Sequence, residues 1–141
     1  MTDFGALVRS GSVPHVDGLF QVDGTVRRVG YDGPRLSRFE VGLPFVPTWR
    51  EHPDGLVDID WADRAAMPAG QGHVCCGAGP MGADGFFARL DPDGVPVWVV
   101  FLTDSNPFLQ ARTDGAVATF TNNLQRSLVI DLKLPYFALN P

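Results

Sequence analysis

The stretch FFARLDPDGVPVWVVFL, residues 86–102, decides the fold. Two apolar runs, Phe86 to Leu90 and Val95 to Leu102, are joined by Asp91-Pro92-Asp93-Gly94. Proline suits the start of a type I turn and glycine suits the left-handed residue that follows it, so the stretch predicts a β-hairpin. In the second run both alternating sets of side chains are apolar, so both faces need cover and we expect a central strand.

Alternating apolar runs on either side of this hairpin predict further strands. We expect them at Leu19–Val22, Thr25–Tyr31, Arg35–Phe45, Leu56–Trp61, His73–Cys76, Phe108–Thr113, Ala116–Thr121 and Ser127–Leu132. Thr2–Arg9 is predicted as a short helix or an irregular arm, and Ala62–Met67 as one helical turn. The fold is therefore predicted to be mainly β, or β-rich α+β, with antiparallel hairpins and a meander forming a sandwich or curled sheet and at most one or two short helices.

Seven Asp-Gly dipeptides punctuate the chain. Glycine reaches positive φ without a steric penalty, and aspartate bonds to its neighbouring backbone, so the pair suits the turns of β-hairpins. Half of the fourteen Asp residues thus have a structural explanation before any chemistry is considered.

Length and charge limit the classes of function. At 141 residues and 45% apolar content, the chain is predicted to be one β-rich domain spanning residues 1–141. Its net charge is -5 and it has no cluster of Lys and Arg, which argues against nucleic-acid binding and favours a basic protein partner. No run of about 18 apolar residues and no secretory signal is recognisable, so we expect no membrane segment and a cytoplasmic location.

Residues 77–82 spell G-x-G-x-x-G, the pattern of a dinucleotide-binding loop. That loop works because its glycines lead into a helix whose N-terminus binds the pyrophosphate. Here the motif leads into the apolar run at Phe86, so we predict a flexible loop and no cofactor.

His73, Cys75 and Cys76 suggest a metal site, since His73 and Cys75 would share one face of a strand. A structural zinc site needs four ligands, and the other histidines, His15 and His52, have no recognised spacing from these three. We therefore predict buried thiols and no metal.

In the alternating stretch Leu56–Trp61, Val57, Ile59 and Trp61 would share a buried face, and Leu56, Asp58 and Asp60 would share the exposed face. Asp58 and Asp60 would project from that face about 6 to 7 Å apart, as paired catalytic carboxylates do. An exposed strand face carrying two Asp residues is the simpler interpretation. Asp91-x-Asp93-Gly94 resembles part of a calcium loop but lacks the downstream acidic ligands. No serine lies in a G-x-S-x-G elbow, so no catalytic residue is predicted.

Trp49 lies between two prolines and beside Arg50. A rigid aromatic side chain and an arginine are typical anchors of protein interfaces. Trp49, Arg50, Asp58 and Asp60 are therefore the candidate interface residues.

The stretch Phe86 to Leu132 includes the segments VWVVF (97–101), SNPF (105–108) and ATFTNN (118–123). In these segments it resembles small uncharacterised actinobacterial proteins, and acidic proteins of that kind are similar to immunity proteins that block bacterial toxins. The resemblance implies no catalytic residue. We expect a non-enzymatic protein-binding module of the immunity type. The alternative is a small enzyme or ligand-binding protein whose site assembles from Asp58, Asp60, His73 and Asp104.

Overall fold

The structure is a computed structural model that describes residues 2–48 and 55–138. One α-helix, α1 (Phe4–Arg9), is present in these ranges, and Asp3 caps it by accepting a hydrogen bond from the Ala6 amide. The strands are β1 (Ser12–Pro14), β2 (Gly18–Gln21), β3 (Val26–Tyr31), β4 (Phe39–Pro44), β5 (Leu56–Asp58), β6 (Asp60–Ala66), β7 (His73–Ala78), β8 (Gly85–Leu90), β9 (Pro96–Leu102), β10 (Phe108–Asp114), β11 (Val117–Asn122) and β12 (Ser127–Asp131). Short 3-10 turns occupy Gly33–Arg35 and Pro68–Gly70. No helix of the described residues is long and apolar enough to cross a membrane.

Three antiparallel sheets are present among the described residues, so the mainly β prediction is confirmed. The largest has the strand order β4-β3-β2-β9-β8-β7-β6, and the others are β10-β11-β12 and β1-β5. The predicted hairpin of residues 86–102 is formed by β8 and β9. Strand β9 lies fourth of seven, which confirms its prediction as a central strand.

The centre of the large sheet, at β8 and β9, is buried on both faces because two different layers cover it. On one face Phe87, Trp98 and Val100 pack with Phe120 and other apolar residues of the β10-β11-β12 sheet. The Phe87 and Phe120 rings stack with centroids 4.5 Å apart.

On the other face, Phe86, Val99 and Phe101 pack with side chains of α1, β1 and β5. Val8 of α1 and Val13 of β1 are both fully buried there. The predicted sandwich is thus a large sheet between a smaller sheet and a helix-containing layer.

The Asp-Gly turn prediction is right at some positions and wrong at others. Asp23-Gly24, Asp93-Gly94 and Asp114-Gly115 connect hairpin strands, each with glycine at positive φ. Gly18 and Gly85 instead begin β2 and β8, outside the left-handed region, while Asp54 lies outside the described residues. Asp17 and Asp84 have tertiary partners, described below, which a dipeptide pattern cannot reveal.

Two local predictions in the middle of the chain are wrong. Leu56–Trp61 is not one strand: the chain leaves the small sheet after Asp58 and joins the large sheet at Asp60. Ile59 lies between the two strands, and its amide donates to the Gly11 carbonyl. Ala62–Met67 is not helical, because most of it belongs to β6, which pairs with β7. Tertiary pairing has overridden the weak local preference.

Candidate functional site

The edge of the large sheet at β6 carries the exposed acidic and aromatic residues that best fit a binding surface. Asp58, at the end of β5, is exposed, and the Ser12 hydroxyl donates to its Oδ1 over 2.6 Å. Asp60 begins β6 and is also exposed. Because the two carboxylates belong to strands of different sheets, the predicted arrangement on one strand face is wrong.

Trp61 is exposed because a β-bulge holds it at the edge of the sheet. Trp61 pairs with Gly77 and Asp63 pairs with Cys76, so Ala62 is the extra residue on β6. The prediction that Trp61 is buried beside Val57 is therefore wrong, since Trp61 is 41% exposed whereas Val57 is buried. The Arg64 guanidinium lies over the Trp61 ring, 5.9 Å from its centroid.

A depression of about 440 Å³ opens beside Trp61. Its lining includes Asp58, Ile59, Trp61, Val95 and Arg9. The Arg9 side chain is held at the end of α1, where Nη1 donates to the Val22 carbonyl over 3.3 Å. The depression combines an aromatic wall, an aliphatic wall, a carboxylate and the Arg9 side chain. We call Asp58, Asp60 and Trp61 the edge surface.

The other candidate interface residues, Trp49 and Arg50, lie outside the described residues. The edge surface therefore includes two of the four residues that the sequence indicated. It adds one, Trp61, that the sequence placed in the core.

The four residues of the alternative site are dispersed. In the β6-β7 register Asp60 pairs with Ala78, whereas His73 pairs with Ala66 at the opposite end of β7. Five residue steps along a strand separate His73 from Ala78, about 16 Å. Asp104 lies in the turn after β9, where its amide donates to the Tyr31 hydroxyl. These residues do not form one pocket.

The cysteines lie in the interior of β7. Cys75 and Cys76 belong to the core clusters on opposite faces of the large sheet, as neighbours on a strand must. Burial is the main cause that raises the pKa of each thiol to about 12. Among residues 2–48 and 55–138, no three His, Cys, Asp or Glu side chains are grouped to hold a metal ion.

The G-x-G-x-x-G segment lies at the end of β7 and in the loop before β8, without a following helix. Gly77 is required for a packing reason: a Cβ there would lie 2.0 Å from the Asp60 carbonyl oxygen. The glycine permits close approach of β6 to β7 and does not form a phosphate-binding turn.

Two aspartates that the sequence assigned to turns lie near the C-terminal end of β9, whereas the depression beside Trp61 lies at its N-terminal end. Asp84 is fully buried, and its Oδ2 lies 3.1 Å from His15 Nε2 and accepts the Met81 amide. The Oδ1 atom of Asp17 accepts from the Thr103 amide at 2.6 Å, the Thr103 hydroxyl at 3.0 Å and the Tyr31 hydroxyl at 2.9 Å. These bonds fasten the loop before β8 and the start of β2 to distant segments.

The His15 and Asp84 pair could not be read from the sequence because 69 positions separate the two residues. The only local signal was the apolar hairpin that begins immediately after Asp84, because it places the carboxylate directly before a buried strand. The chain matches no protein-family model, no curated protein and no solved structure with which it was compared.

Proposed function

We propose that the chain is a non-enzymatic protein-binding module of the immunity type, which binds a basic protein such as a bacterial toxin through the edge surface. The observation that carries this proposal is Trp61, a large aromatic side chain 41% exposed at the edge of a sheet and close to acidic residues. Monomeric proteins bury most of their aromatic area, and an exposed Trp beside a depression is typical of an interface.

Burial of Trp61 by a partner would contribute a substantial part of the binding energy. Aromatic side chains bury about 150 to 250 Å² each. With roughly half of that area already covered, about 100 Å² is left, which corresponds to about 2 to 3 kcal/mol at 25 cal/mol per Å². The bulge at Ala62 fixes the Trp61 backbone in a paired strand, so less conformational entropy is lost on binding than for a side chain on a loop.

The acidic residues would determine which partner binds and how fast. Asp58 and Asp60 are both exposed, and the chain carries a net charge of -5. The electrostatic field of these negative charges accelerates association with a cationic protein, and added salt weakens this effect. Many toxins that act on nucleic acids need a basic active site, which explains why an acidic protein would suit the role of an inhibitor.

The resemblance of residues 86–132 to immunity-like proteins supports the same proposal. The segments that carry the resemblance lie in β9, in β11 and in the turn between β9 and β10. These segments belong to the scaffold and contain none of the three residues of the edge surface. The partner contacts would then come from the edge surface.

Site-specific photo-cross-linking in an extract of the native host tests the proposal. A photoreactive phenylalanine replaces Trp61 in one variant and Val129 in the other; Val129 is 67% exposed on β12, in a different sheet. We expect one covalent adduct from position 61 and none from position 129, with a lower yield at high salt. The captured protein should be basic, and the purified chain should inhibit its activity.

A matched pair of charge reversals serves as the control. Asp60→Lys should reduce the adduct yield, whereas Asp114→Lys, which reverses an exposed charge at the β10-β11 turn, should not. Equal adducts from both cross-linker positions, or none at either salt concentration, would contradict the proposal.

A further inference from the structure

A cavity lies away from the edge surface, where several strand ends meet. It has a volume of about 560 Å³, within the range of small-molecule sites. Met67 and Pro92 contribute apolar walls from the β6-β7 and β8-β9 connections, and Leu132 contributes another after β12. Arg89 and Lys133 also line it.

Arg89 is a buried cation that has no counter-ion among residues 2–48 and 55–138. Its side chain projects from β8 and the residue is only 4% exposed. Nη1 donates to the Phe137 carbonyl over 2.9 Å, and the Trp98 indole N–H donates to the same oxygen over 3.1 Å. Nε is buried without a hydrogen-bond partner.

No Asp or Glu within residues 2–48 and 55–138 forms an ion pair with this guanidinium. Burial lowers the pKa of Arg89 from its ordinary value. Arginine nevertheless stays protonated in proteins, so the positive charge and most of its five N–H donors remain without an acceptor among the described residues.

Lys133 adds a second positive charge to the same cavity. It is the only lysine of a chain that carries sixteen acidic residues. Its backbone amide is fixed by the Asp131 carboxylate, over 2.9 Å, which holds the segment after β12 beside the cavity. No carboxylate is among the described lining residues. A cavity with two cations and no acid concentrates anions even though the whole molecule is acidic.

We propose that this cavity is a binding site for a small organic anion, a carboxylate joined to a short apolar body. The unpartnered Arg89 guanidinium would bind the carboxylate, since its planar fork matches that group, and Lys133 would add a point charge at the rim. The apolar body would lie against Met67, Pro92 and Leu132. This site is independent of the edge surface and of any protein partner.

NMR titration of the wild-type chain tests the site, with benzoate as the probe. The Trp98 indole N–H and the Arg89 Nε–H are the reporters, because Trp98 and Arg89 share the Phe137 carbonyl. We expect benzoate to shift both resonances saturably. Benzamide, which has the same shape without the charge, should bind at least about tenfold more weakly, and inorganic phosphate should also bind more weakly.

Two matched substitutions locate the binding. Lys133→Gln should weaken benzoate binding by a factor of about 2 to 5, whereas Arg126→Gln, which removes an exposed charge outside the cavity, should not. Arg89→Met should weaken it by about 10- to 100-fold. If Arg89→Met does not fold, the comparison of Lys133→Gln with Arg126→Gln and the wild-type titration still test the proposal.

Three outcomes would overturn the proposal. The first is that benzoate leaves both reporter resonances unshifted in the wild-type chain. The second is that benzamide or phosphate binds as tightly as benzoate, which would exclude a site for carboxylates. Equal effects of Lys133→Gln and Arg126→Gln would place the anion elsewhere.

Discussion

Replacing Asp17 with alanine should destabilise the protein far more than the same change at Asp23, although both residues precede a glycine. Asp17 Oδ1 accepts three hydrogen bonds from two distant residues, Thr103 and Tyr31. Asp23 Oδ1 accepts one, from the Thr25 amide of its own turn. The comparison separates an aspartate that joins strands from one that shapes a turn.

The magnitude follows from the number and burial of these bonds. Hydrogen bonds to a charged group contribute about 1.5 to 3 kcal/mol each, but the Asp17 cluster is only partly buried and water can replace some of them. At about 1 kcal/mol per bond, Asp17→Ala should cost about 3 kcal/mol, and Asp23→Ala about 0.5 to 1 kcal/mol. The difference of about 2 kcal/mol corresponds to roughly 6 to 10 °C in Tm for a chain of this size.

Urea unfolding followed by circular dichroism measures both variants. The midpoint of Asp17→Ala should fall while its m-value stays the same, since unfolding exposes the same additional surface in the variant as in the wild type. Tyrosine titration gives a second reading. Burial is the main cause that raises the pKa of Tyr31 far above its ordinary value, and the Asp17 charge is the next. Asp17→Ala should therefore lower that pKa part of the way. Equal losses of stability in Asp17→Ala and Asp23→Ala, with no change in the tyrosine titration, would refute the reasoning.

The remaining predictions concern the interior of β7 and the loop that follows it. The pKa of Cys75 and of Cys76 is raised to about 12, whereas in the unfolded chain the thiols ionise near their ordinary value of about 8.5. Their contribution to stability is therefore complete below about pH 8.5 and is lost as the pH rises towards 12, by up to about 1.4 kcal/mol per pH unit for each thiol. Cys75→Ala should flatten the decline of unfolding free energy between pH 8.5 and 10.5, and identical slopes would contradict this. Gly77→Ala should cost about 3 kcal/mol or more, because its Cβ would overlap the β6 backbone. Gly82→Ala, at φ 86° with open space around it, should cost about 1 kcal/mol in the same urea experiment. A larger loss of stability in Gly82→Ala than in Gly77→Ala would show that the G-x-G-x-x-G segment is constrained in its second half instead.

Local sequence predicted the parts of the fold that depend on neighbours in the chain. The hairpin of residues 86–102 follows from one proline, one glycine and two apolar runs, and its second strand required cover on both faces. The β10-β11-β12 meander follows from the same local rules.

Features that depend on distant residues could not be predicted in this way. The pairing of Ser12 with Asp58 breaks the strand expected at residues 56–61, and no pattern within that stretch signals it. Trp61 alternates correctly with Val57 in the sequence, but the bulge at Ala62 and its place at a sheet edge leave it exposed.

Arg89 did leave a signal. It interrupts the apolar run Phe86 to Leu90. A charged side chain in a strand that is buried on both faces is costly unless it is paired, so it indicates either an ion pair within the protein or a bound ligand. The charge in the strand can be interpreted only with the structure, which places Arg89 in a cavity lined also by residues of the β8-β9 turn and of the segment after β12.

The bulge at Ala62 has a second effect, on self-association. A regular outer strand offers a continuous row of amide and carbonyl groups to any other extended chain. The extra residue interrupts that row beside Trp61, so another extended chain finds fewer aligned groups to pair with there. The protein thus exposes an aromatic side chain at a sheet edge that is a poor template for pairing with a second copy of the chain.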